Sequence, residues 1–129
     1  MAITADYLVI SDGLITLVPP GGDSDRNFTF IIPLGAKIAT GQNPIITFMA
    51  WAEGGNVDLV VELNGQNIIN PTRFNSDRRS FHEVVNLNIP RVGIPNDLIF
   101  RAAAGATTAR IYVSDVVFWF QREALLPGD

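Results

Sequence analysis

The sequence predicts an all-β fold, a single-domain antiparallel β-sandwich or jelly roll of about nine strands. Helical patterning is nearly absent, because no stretch of a dozen residues keeps apolar side chains three and four positions apart. Short apolar runs recur instead at intervals of roughly ten residues, and 11 Gly and 8 Pro interrupt the chain. This spacing is typical of short antiparallel strands joined by turns.

Four strands are expected in the first half of the chain. Residues 7–10 and 14–18 flank Ser11-Asp12-Gly13, which predicts a hairpin because Asp-Gly favours a tight turn. A polar loop then leads to a strand at 28–32. Residues 45–52 (IITFMAWA) are apolar on both faces of the next expected strand.

Five further strands are expected in the second half. In 57–63 (VDLVVEL) the odd-numbered Val and Leu residues face inward, whereas the two acidic residues face water. Asn64-Gly65 predicts a tight turn into a short strand at 66–69. The polar segment 70–80 (NPTRFNSDRRS) is expected to be a loop. The remaining strands are placed at 81–89, 98–103 and 110–121, followed by a flexible tail after Glu123.

The last expected strand, RIYVSDVVFWFQ, is apolar on both faces except for one acid. Strict alternation puts Ile111, Val113, Asp115, Val117 and Trp119 on one face, with the intervening residues on the other. A bulge or irregular pairing is expected at Ser114-Asp115, where it would divide the apolar stripe into two halves. Residues 45–52 have the same property. We therefore predict that one face of these two strands packs against the core and that the opposite face is covered by a partner.

Composition favours a subunit that hides part of its surface. Of the 129 residues, 47% are hydrophobic and 17% are charged, against about 25% charged residues in an average soluble domain. We therefore expect a homo-oligomer joined through apolar strand faces. No apolar run approaches the ~18 residues of a membrane span, so none is expected.

Charge and residue usage exclude several classes of partner and location. A net charge of −4 disfavours binding to a phosphate backbone, so no nucleic-acid partner is expected. The start, MAITADYLVISDG, lacks the basic and continuous apolar segments of a usual signal peptide. Cytoplasmic synthesis is therefore expected, with non-classical release or association with a particle left open.

Elimination predicts that the protein is not an enzyme. Cysteine is absent and His82 is the single histidine, which leaves few options for a nucleophile, a base or a zinc site. Asp58 and Glu62 share a strand face but lie about 13 Å apart, beyond the ~5–9.5 Å of glycosidase carboxylates. No phosphate-binding glycine loop is present.

No cofactor is expected, and calcium is the one metal that the sequence suggests. Asp23, Asp25 and Asn27 place oxygen ligands at alternate positions, as a calcium loop begins. The central glycine and closing glutamate of such a loop are missing, and Arg26 intervenes. A plain polar turn is the alternative, because Asp and Asn are common turn formers.

The main candidate for ligand binding is the polar segment after residue 72, together with the histidine that follows it. It combines an aromatic ring that could be exposed with Arg, Asn and Asp, which suit stacking and hydrogen bonding to a sugar. The alternatives are an interface hot spot and a loop paired internally through Asp77, with the ring folded inward. The candidate residues are Arg73, Phe74, Asn75, Asp77, Arg78, Arg79 and His82.

The two tryptophans define a secondary candidate. Trp51 and Trp119 each lie near the end of a long apolar strand, where an indole caps the core, joins an interface or lines a binding mouth. Glu53 and Asn56 follow Trp51 and would place a shallow site in that loop.

Three stretches of the second half resemble small β-sandwich carbohydrate-binding modules of the galactose-binding-like type. The first stretch has an Asn-Gly turn after an alternating strand, and the second has a Gly-to-Asn turn into a strand. The third is a closing strand with an acid before apolar residues. Here the Gly-to-Asn spacing is stretched by Ile94-Pro95, and the opening motif of those modules is missing. The stretches are VDLVVELNGQNI, VGIPNDLIF and ARIYVSDVVFWF.

Two functional hypotheses follow. The first, which the resemblance also implies, is a non-enzymatic, lectin-like module that binds glycans as a homo-oligomer, where multivalency raises a weak affinity. The alternative is a structural jelly-roll subunit of a particle, fibre or appendage that has no small-molecule ligand. Exposure of residues 73–82 at an outer rim favours binding, whereas burial in a subunit contact favours assembly.

Overall fold

A computed structural model describes residues 2–19, 24–33 and 41–124, and within them eight strands form two four-stranded antiparallel sheets. The strands are β1 (Ala2–Leu17), β2 (Asp25–Ile31), β3 (Ile45–Glu53), β4 (Val57–Leu63), β5 (Gln66–Phe74), β6 (Arg79–Val84), β7 (Pro95–Gly105) and β8 (Arg110–Ala124). The first sheet has the order β1-β8-β3-β6 and the second β2-β7-β4-β5. This jelly-roll arrangement confirms the predicted fold class. The predicted tail lies outside the described residues from 125 onward.

The strand β1 is continuous where the sequence predicted two strands joined by a hairpin. Residues on both sides of Asp12-Gly13 pair with the same neighbour, Val9 with Val117 and Leu14 with Ser114. Two register shifts between Val9 and Leu14 absorb the extra residues as an irregularity of the strand. The hairpin prediction was wrong because the 15-residue β8 is long enough to pair with both halves.

The strand β5 also departs from the prediction, because it continues to Phe74 through a segment expected to be a loop. Thr72 lies opposite Leu59, and Phe74 lies opposite Val57 on β4. Pro71 is compatible with this strand because β5 is a sheet edge, where a missing N–H breaks no ladder. The polar composition of the segment reflects this edge position.

Other local predictions are confirmed. The apolar residues of β4 are buried, and Asp58 and Glu62 face outward. Asn64 and Gly65 have φ angles of 51° and 81°, which is the backbone that a tight Asn-Gly hairpin turn requires. The core between the sheets contains an aromatic cluster in which Phe48 meets Phe100 edge to face at 5.3 Å.

Asn96 is the buried polar residue of the described part of the chain. Its Oδ1 accepts hydrogen bonds from Asn64 Nδ2 at 2.9 Å and from the Arg91 backbone N–H at 2.8 Å. Its Nδ2 donates to the Arg91 carbonyl at 2.9 Å. The side chain therefore ties the start of β7 to the β4–β5 turn and to the loop before β7.

The expected bulge in β8 is present at Ser114-Asp115. Asp115 has a φ of 55°, and the register shifts against both β1 and β3 at this point. Ile111 and Val113 face the core before the bulge, and Val116 and Phe118 face it afterwards. The bulge therefore corrects the faces expected from strict alternation, and Trp119 lies on the side of the first sheet turned away from the core.

Candidate functional site

The outer face of the first sheet, the side turned away from the core, carries most of the exposed apolar side chains. Eight large hydrophobic residues are exposed in the described part of the chain, and six of them lie on this face. Single exposed apolar residues are ordinary, but a concentration on one face makes that face a candidate binding surface. The six are Tyr7, Val9, Leu14, Ile45, Val84 and Trp119.

Trp119 is the best-defined side chain of the outer face. Its indole Nε1 donates a hydrogen bond of 2.8 Å to the Thr47 hydroxyl on β3. The Tyr7 ring from β1 lies beside it, with ring centroids 5.2 Å apart. The residue nevertheless remains 42% exposed. The structure therefore presents an oriented aromatic ring whose polar N–H is already satisfied.

A depression of about 280 Å³ lies beside Trp119 on the outer face. Register places Thr47 opposite His82, and Met49 opposite Ser80. Asp115 enters the depression from the β8 bulge. Its lining therefore combines apolar groups with hydroxyls, an imidazole and a carboxylate, a mixture typical of small-molecule sites. The lining residues are Thr47, Phe48, Met49, Ser80, His82, Asp115, Val117 and Trp119.

A smaller depression of about 130 Å³ also borders Trp119. Asp6 and Gln121 supply polar groups to it, and Ile45 and Phe120 supply apolar ones. Trp119 lines both depressions, so the indole borders two recesses.

Ser80, His82 and Asp115 share the larger depression without forming a nucleophile–base–acid chain. No hydrogen bond joins any two of these three described side chains. The strand β3 separates β6 from β8, which puts Asp115 roughly 10 Å from the two β6 residues. The arrangement can donate and accept hydrogen bonds to a ligand, which is the chemistry of binding.

The structure separates the main sequence-predicted cluster into three environments. Phe74 is fully buried, with its ring 5.8 Å from that of Phe81. Of the two positions that the sequence left open for this ring, the inward one is observed, because β5 carries Phe74 into the core. Phe74 is therefore removed from the candidate ligand-binding residues. Arg73 turns to the second sheet, where its Nε lies 3.1 Å from Asp58. Of the cluster, His82 alone lines the depression beside Trp119.

The loop between β5 and β6 is held by its own hydrogen bonds. The Asn75 carbonyl accepts a bond from Ala52 N–H at 2.6 Å, and its side chain accepts one from Asp77 N–H at 2.9 Å. Arg79 donates to the Arg73 carbonyl at 2.8 Å and covers the Phe74 ring. Among these described residues, Asp77 forms no ion pair with either neighbouring arginine, so the loop is ordered through its backbone.

Trp51 lies on the outer face but is covered by its neighbours. The Tyr112 ring, directly opposite on β8, stacks on it at 5.4 Å. The Arg78 guanidinium lies over the indole ring, 4.1 Å from its centroid, at a cation–π distance. Trp51 is consequently 8% exposed, and the tyrosine and arginine occupy the positions that a ligand would need.

The remaining secondary candidates lie elsewhere. Glu53 and Asn56 are exposed at and after the end of β3. Asn56 lines a separate polar depression of about 240 Å³ with Arg73 and Asp58. These residues therefore do not join the site at Trp119.

The calcium candidates fall partly outside the described chain, because Asp23 is not among the described residues. Asp25 accepts a hydrogen bond from Arg101 at 3.3 Å, and Asn27 is exposed. Arg101 also donates to Glu62 at 2.7 Å. This bond and the Asp25 contact raise the pKa of Arg101 above its ordinary value. Within residues 2–19, 24–33 and 41–124, no three acidic or histidine side chains cluster as a metal would require.

Sequence reasoning missed Thr47, Met49 and Ser80, which line the larger depression, and Tyr7, whose ring lies beside Trp119. Alternation could have placed Thr47 and Met49 on the same face as Trp51. The missing information was strand order, which brings β6 beside β3 and β1 beside β8. No helix in the described ranges is long and apolar enough to cross a membrane.

No model of a known protein family matches this chain, and no curated protein matches its sequence. Solved structures do match its fold. One is a structure of CBM4, where CBM stands for carbohydrate-binding module. Its TM-score is 0.58, with 19% sequence identity over 94% of this chain and 78% of that one. Another is the CBM36-1 domain of a multidomain xylanase from the hindgut metagenome of Trinervitermes trinervoides. Its TM-score is 0.50, with 8% identity over 97% of this chain and all of that one.

These identities are low, so the comparisons establish the fold alone. The fold resembles that of carbohydrate-binding modules. The likeness extends over nearly the whole chain, whereas the sequence suggested it for the second half only.

Proposed function

We propose that this protein binds carbohydrate on the outer face of the first sheet, with Trp119 as the stacking residue. The observation that carries the proposal is the position of this indole. It is 42% exposed, oriented by a hydrogen bond, and borders two depressions that are lined in part by polar residues. The likeness to carbohydrate-binding modules supports the same conclusion.

The chemistry of a sugar fits this surface. A pyranose ring has an apolar C–H face that stacks on an aromatic ring and a rim of hydroxyls that need hydrogen-bond partners. Trp119 supplies the first. Asp115 and the hydroxyl of Ser80 accept hydrogen bonds, and His82 offers both a donor and an acceptor. The ligand is bound without being cleaved.

Self-association is part of this proposal. Exposed apolar side chains extend beyond the depression to both edges of the sheet, with Val9 and Leu14 on β1 and Val84 on β6. Several copies would present several sites, and weak individual affinities would combine.

The same apolar side chains favour a second candidate function, a structural assembly subunit. In that case a neighbouring copy would cover Tyr7, Trp119 and Val84 on the outer face, and no sugar would reach the depression. The two candidates thus compete for one surface, which makes them experimentally separable.

Affinity electrophoresis through gels that contain soluble polysaccharides, together with a glycan array, tests the proposal. We expect the protein to be retarded by at least one polysaccharide and Trp119→Ala to migrate unretarded. Ile31→Ala is the matched control, because Ile31 is similarly exposed but lies on the second sheet. Equal retardation of Trp119→Ala would exclude this site. If the protein binds no glycan on the array and light scattering shows a large stable assembly, the structural candidate is favoured.

A further inference from the structure

Four of the described strands, β1, β6, β2 and β5, lie at sheet edges, and they differ in how these edges are protected. Edge strands expose unpaired backbone groups, and proteins block unwanted pairing with charged side chains, proline or bulges. In β1 the irregular pairing lies beyond Val9, outside the regular segment Ala5–Val9. Arg79 lies on β6, Arg26 on β2, and Pro71 and Arg73 on β5. The 16-residue β1 is the longest of the four edges and contains no Lys, Arg or Pro.

The backbone of β1 is oriented for pairing at this edge. The Tyr7 N–H donates to the Asp6 carboxylate at 2.8 Å, so it points away from the β8 ladder and toward the free edge. Pairing at this edge would exchange the Asp6 carboxylate for a backbone carbonyl of the second copy. Alternation along an antiparallel strand gives Ala5 and Val9 the same orientation. Within the described ranges no strand pairs with this side of β1.

The charge of the regular segment Ala5–Val9 is already neutralised. Asp6 is its single charged residue, and its Oδ2 lies 3.1 Å from Arg122 Nε, within ion-pair distance. Asp12 lies beyond the segment, in the irregular part of β1. Two such segments could therefore meet without like-charge repulsion.

Apolar side chains border the same edge. Tyr7 and Val9 are each 55% exposed, and both lie on the outer face. A copy of the same segment would cover them with identical side chains, because antiparallel pairing is self-complementary.

We propose that two copies of the chain pair antiparallel through the Ala5–Val9 edges of β1. This inference rests on the proposed self-association and is independent of carbohydrate binding. The two first sheets join into one continuous sheet of eight strands. The two-fold axis of an antiparallel strand pair is perpendicular to the sheet, so both outer faces point the same way. The depressions of the two copies would then face a common ligand surface.

Sedimentation velocity at micromolar concentration tests the pairing. We expect the protein to sediment at twice its 14.1 kDa chain mass and Val9→Lys to sediment as a monomer. Ile31→Lys is the matched control: it adds the same charge at an equally exposed edge position on the second sheet, and it should remain dimeric. Ala5→Pro is a second disruptive variant, because it removes an edge-facing N–H without a ladder bond to β8. Circular dichroism and thermal unfolding verify that each variant is folded.

Each result decides a different point. A protein that is monomeric yet retarded by polysaccharide would overturn the pairing and leave carbohydrate binding intact. A dimer that persists in both Val9→Lys and Ala5→Pro would overturn the assignment to β1 and leave self-association intact. A series of larger oligomers would indicate head-to-tail contacts in place of a closed pair. Loss of the dimer in both variants, with Ile31→Lys unchanged, would support the proposal.

Discussion

Trp119 and Thr47 are joined across neighbouring strands by a hydrogen bond of 2.8 Å from the indole Nε1 to the threonine hydroxyl. Thr47 also lies opposite His82 on β6. One threonine thus stands between the aromatic ring and the imidazole of the proposed site. Its hydroxyl holds the indole in place and forms part of the depression.

Replacing Thr47 with valine tests this role. Valine keeps the β-branched shape but removes the acceptor, so the indole N–H loses its protein partner. We expect the affinity for the retarding polysaccharide to fall about tenfold, equivalent to about 1.4 kcal/mol. The free energy of unfolding should fall by about 1 kcal/mol. Titration calorimetry and urea denaturation measure the two effects.

Thr29→Val is the matched control for this substitution. Thr29 is exposed on β2 of the other sheet, so the change should affect neither binding nor the orientation of Trp119. If Thr47→Val binds as tightly as the parent protein, the hydrogen bond is not needed to position the ring.

Asp115 combines a left-handed backbone with a carboxylate, and three substitutions separate these properties. Its φ of 55° disfavours alanine, so Asp115→Ala should unfold with about 1 kcal/mol less free energy. Asp115→Gly relieves the strain and should retain stability. Asp115→Asn retains both the stability and the shape but removes the charge.

The affinity of these variants should depend on whether the carboxylate is present and not on their free energy of unfolding. We expect Asp115→Gly and Asp115→Asn to lose about tenfold in affinity, because the strong charged acceptor is absent. Urea denaturation measures the free energy of unfolding, and affinity electrophoresis measures the affinity for the polysaccharide. Wild-type affinity in Asp115→Asn would show that the ligand does not use the negative charge.

Arg78 covers Trp51, and its removal should expose that indole. The guanidinium lies 4.1 Å from the ring centroid, so Arg78→Ala should cost about 0.5–1 kcal/mol of stability. Fluorescence reports on Trp51 alone in a Trp119→Phe background, because the chain has two tryptophans. We expect its emission to shift to longer wavelength and acrylamide to quench it more strongly.

Arg73→Ala is the control for Arg78, because Arg73 lies on the second sheet beside Asp58. Its removal should leave the Trp51 emission unchanged. An unchanged spectrum in Arg78→Ala would mean that Tyr112 alone shields the indole.

Asn96 should be the costliest polar residue to remove. It is fully buried and bonds to the β4–β5 turn and to the loop before β7. Asn96→Ala leaves several buried partners unsatisfied, so we expect a loss of about 3 kcal/mol of unfolding free energy. Asn88→Ala, at an exposed loop position, should cost less than about 0.5 kcal/mol. Chemical denaturation that showed equal costs would mean that water replaces the lost bonds.

The fold class was predictable because it depends on local information. Strand spacing, the alternation of β4 and the Asn64-Gly65 turn are each encoded within a few consecutive residues. The bulge at Ser114-Asp115 was also predictable, because an acid interrupts an apolar strand there. Pairing between distant strands is not encoded locally, so the merged β1 and the extended β5 could not be derived.

The candidate site was only partly predictable for the same reason. His82 and Trp119 were recognised as candidates, but they were assigned to different sites. The order β8-β3-β6 brings them into one depression. The sequence left Phe74 open between an exposed and an inward ring, and the register of β5 against β4 places it in the core.

The bulge at Asp115 has a consequence for insertions and deletions. Side chains of β8 resume their alternation one position late after this residue, which sends Phe118 inward and Trp119 outward. Deleting Asp115 would remove the extra residue of the bulge and keep both rings in place, because Val113, Val116 and Phe118 would then alternate regularly toward the core. Deleting Val117 would exchange the two: the indole would be forced into the core and the phenyl ring into solvent. The number of residues between the bulge and Trp119 therefore determines which of the two aromatic rings is exposed to solvent.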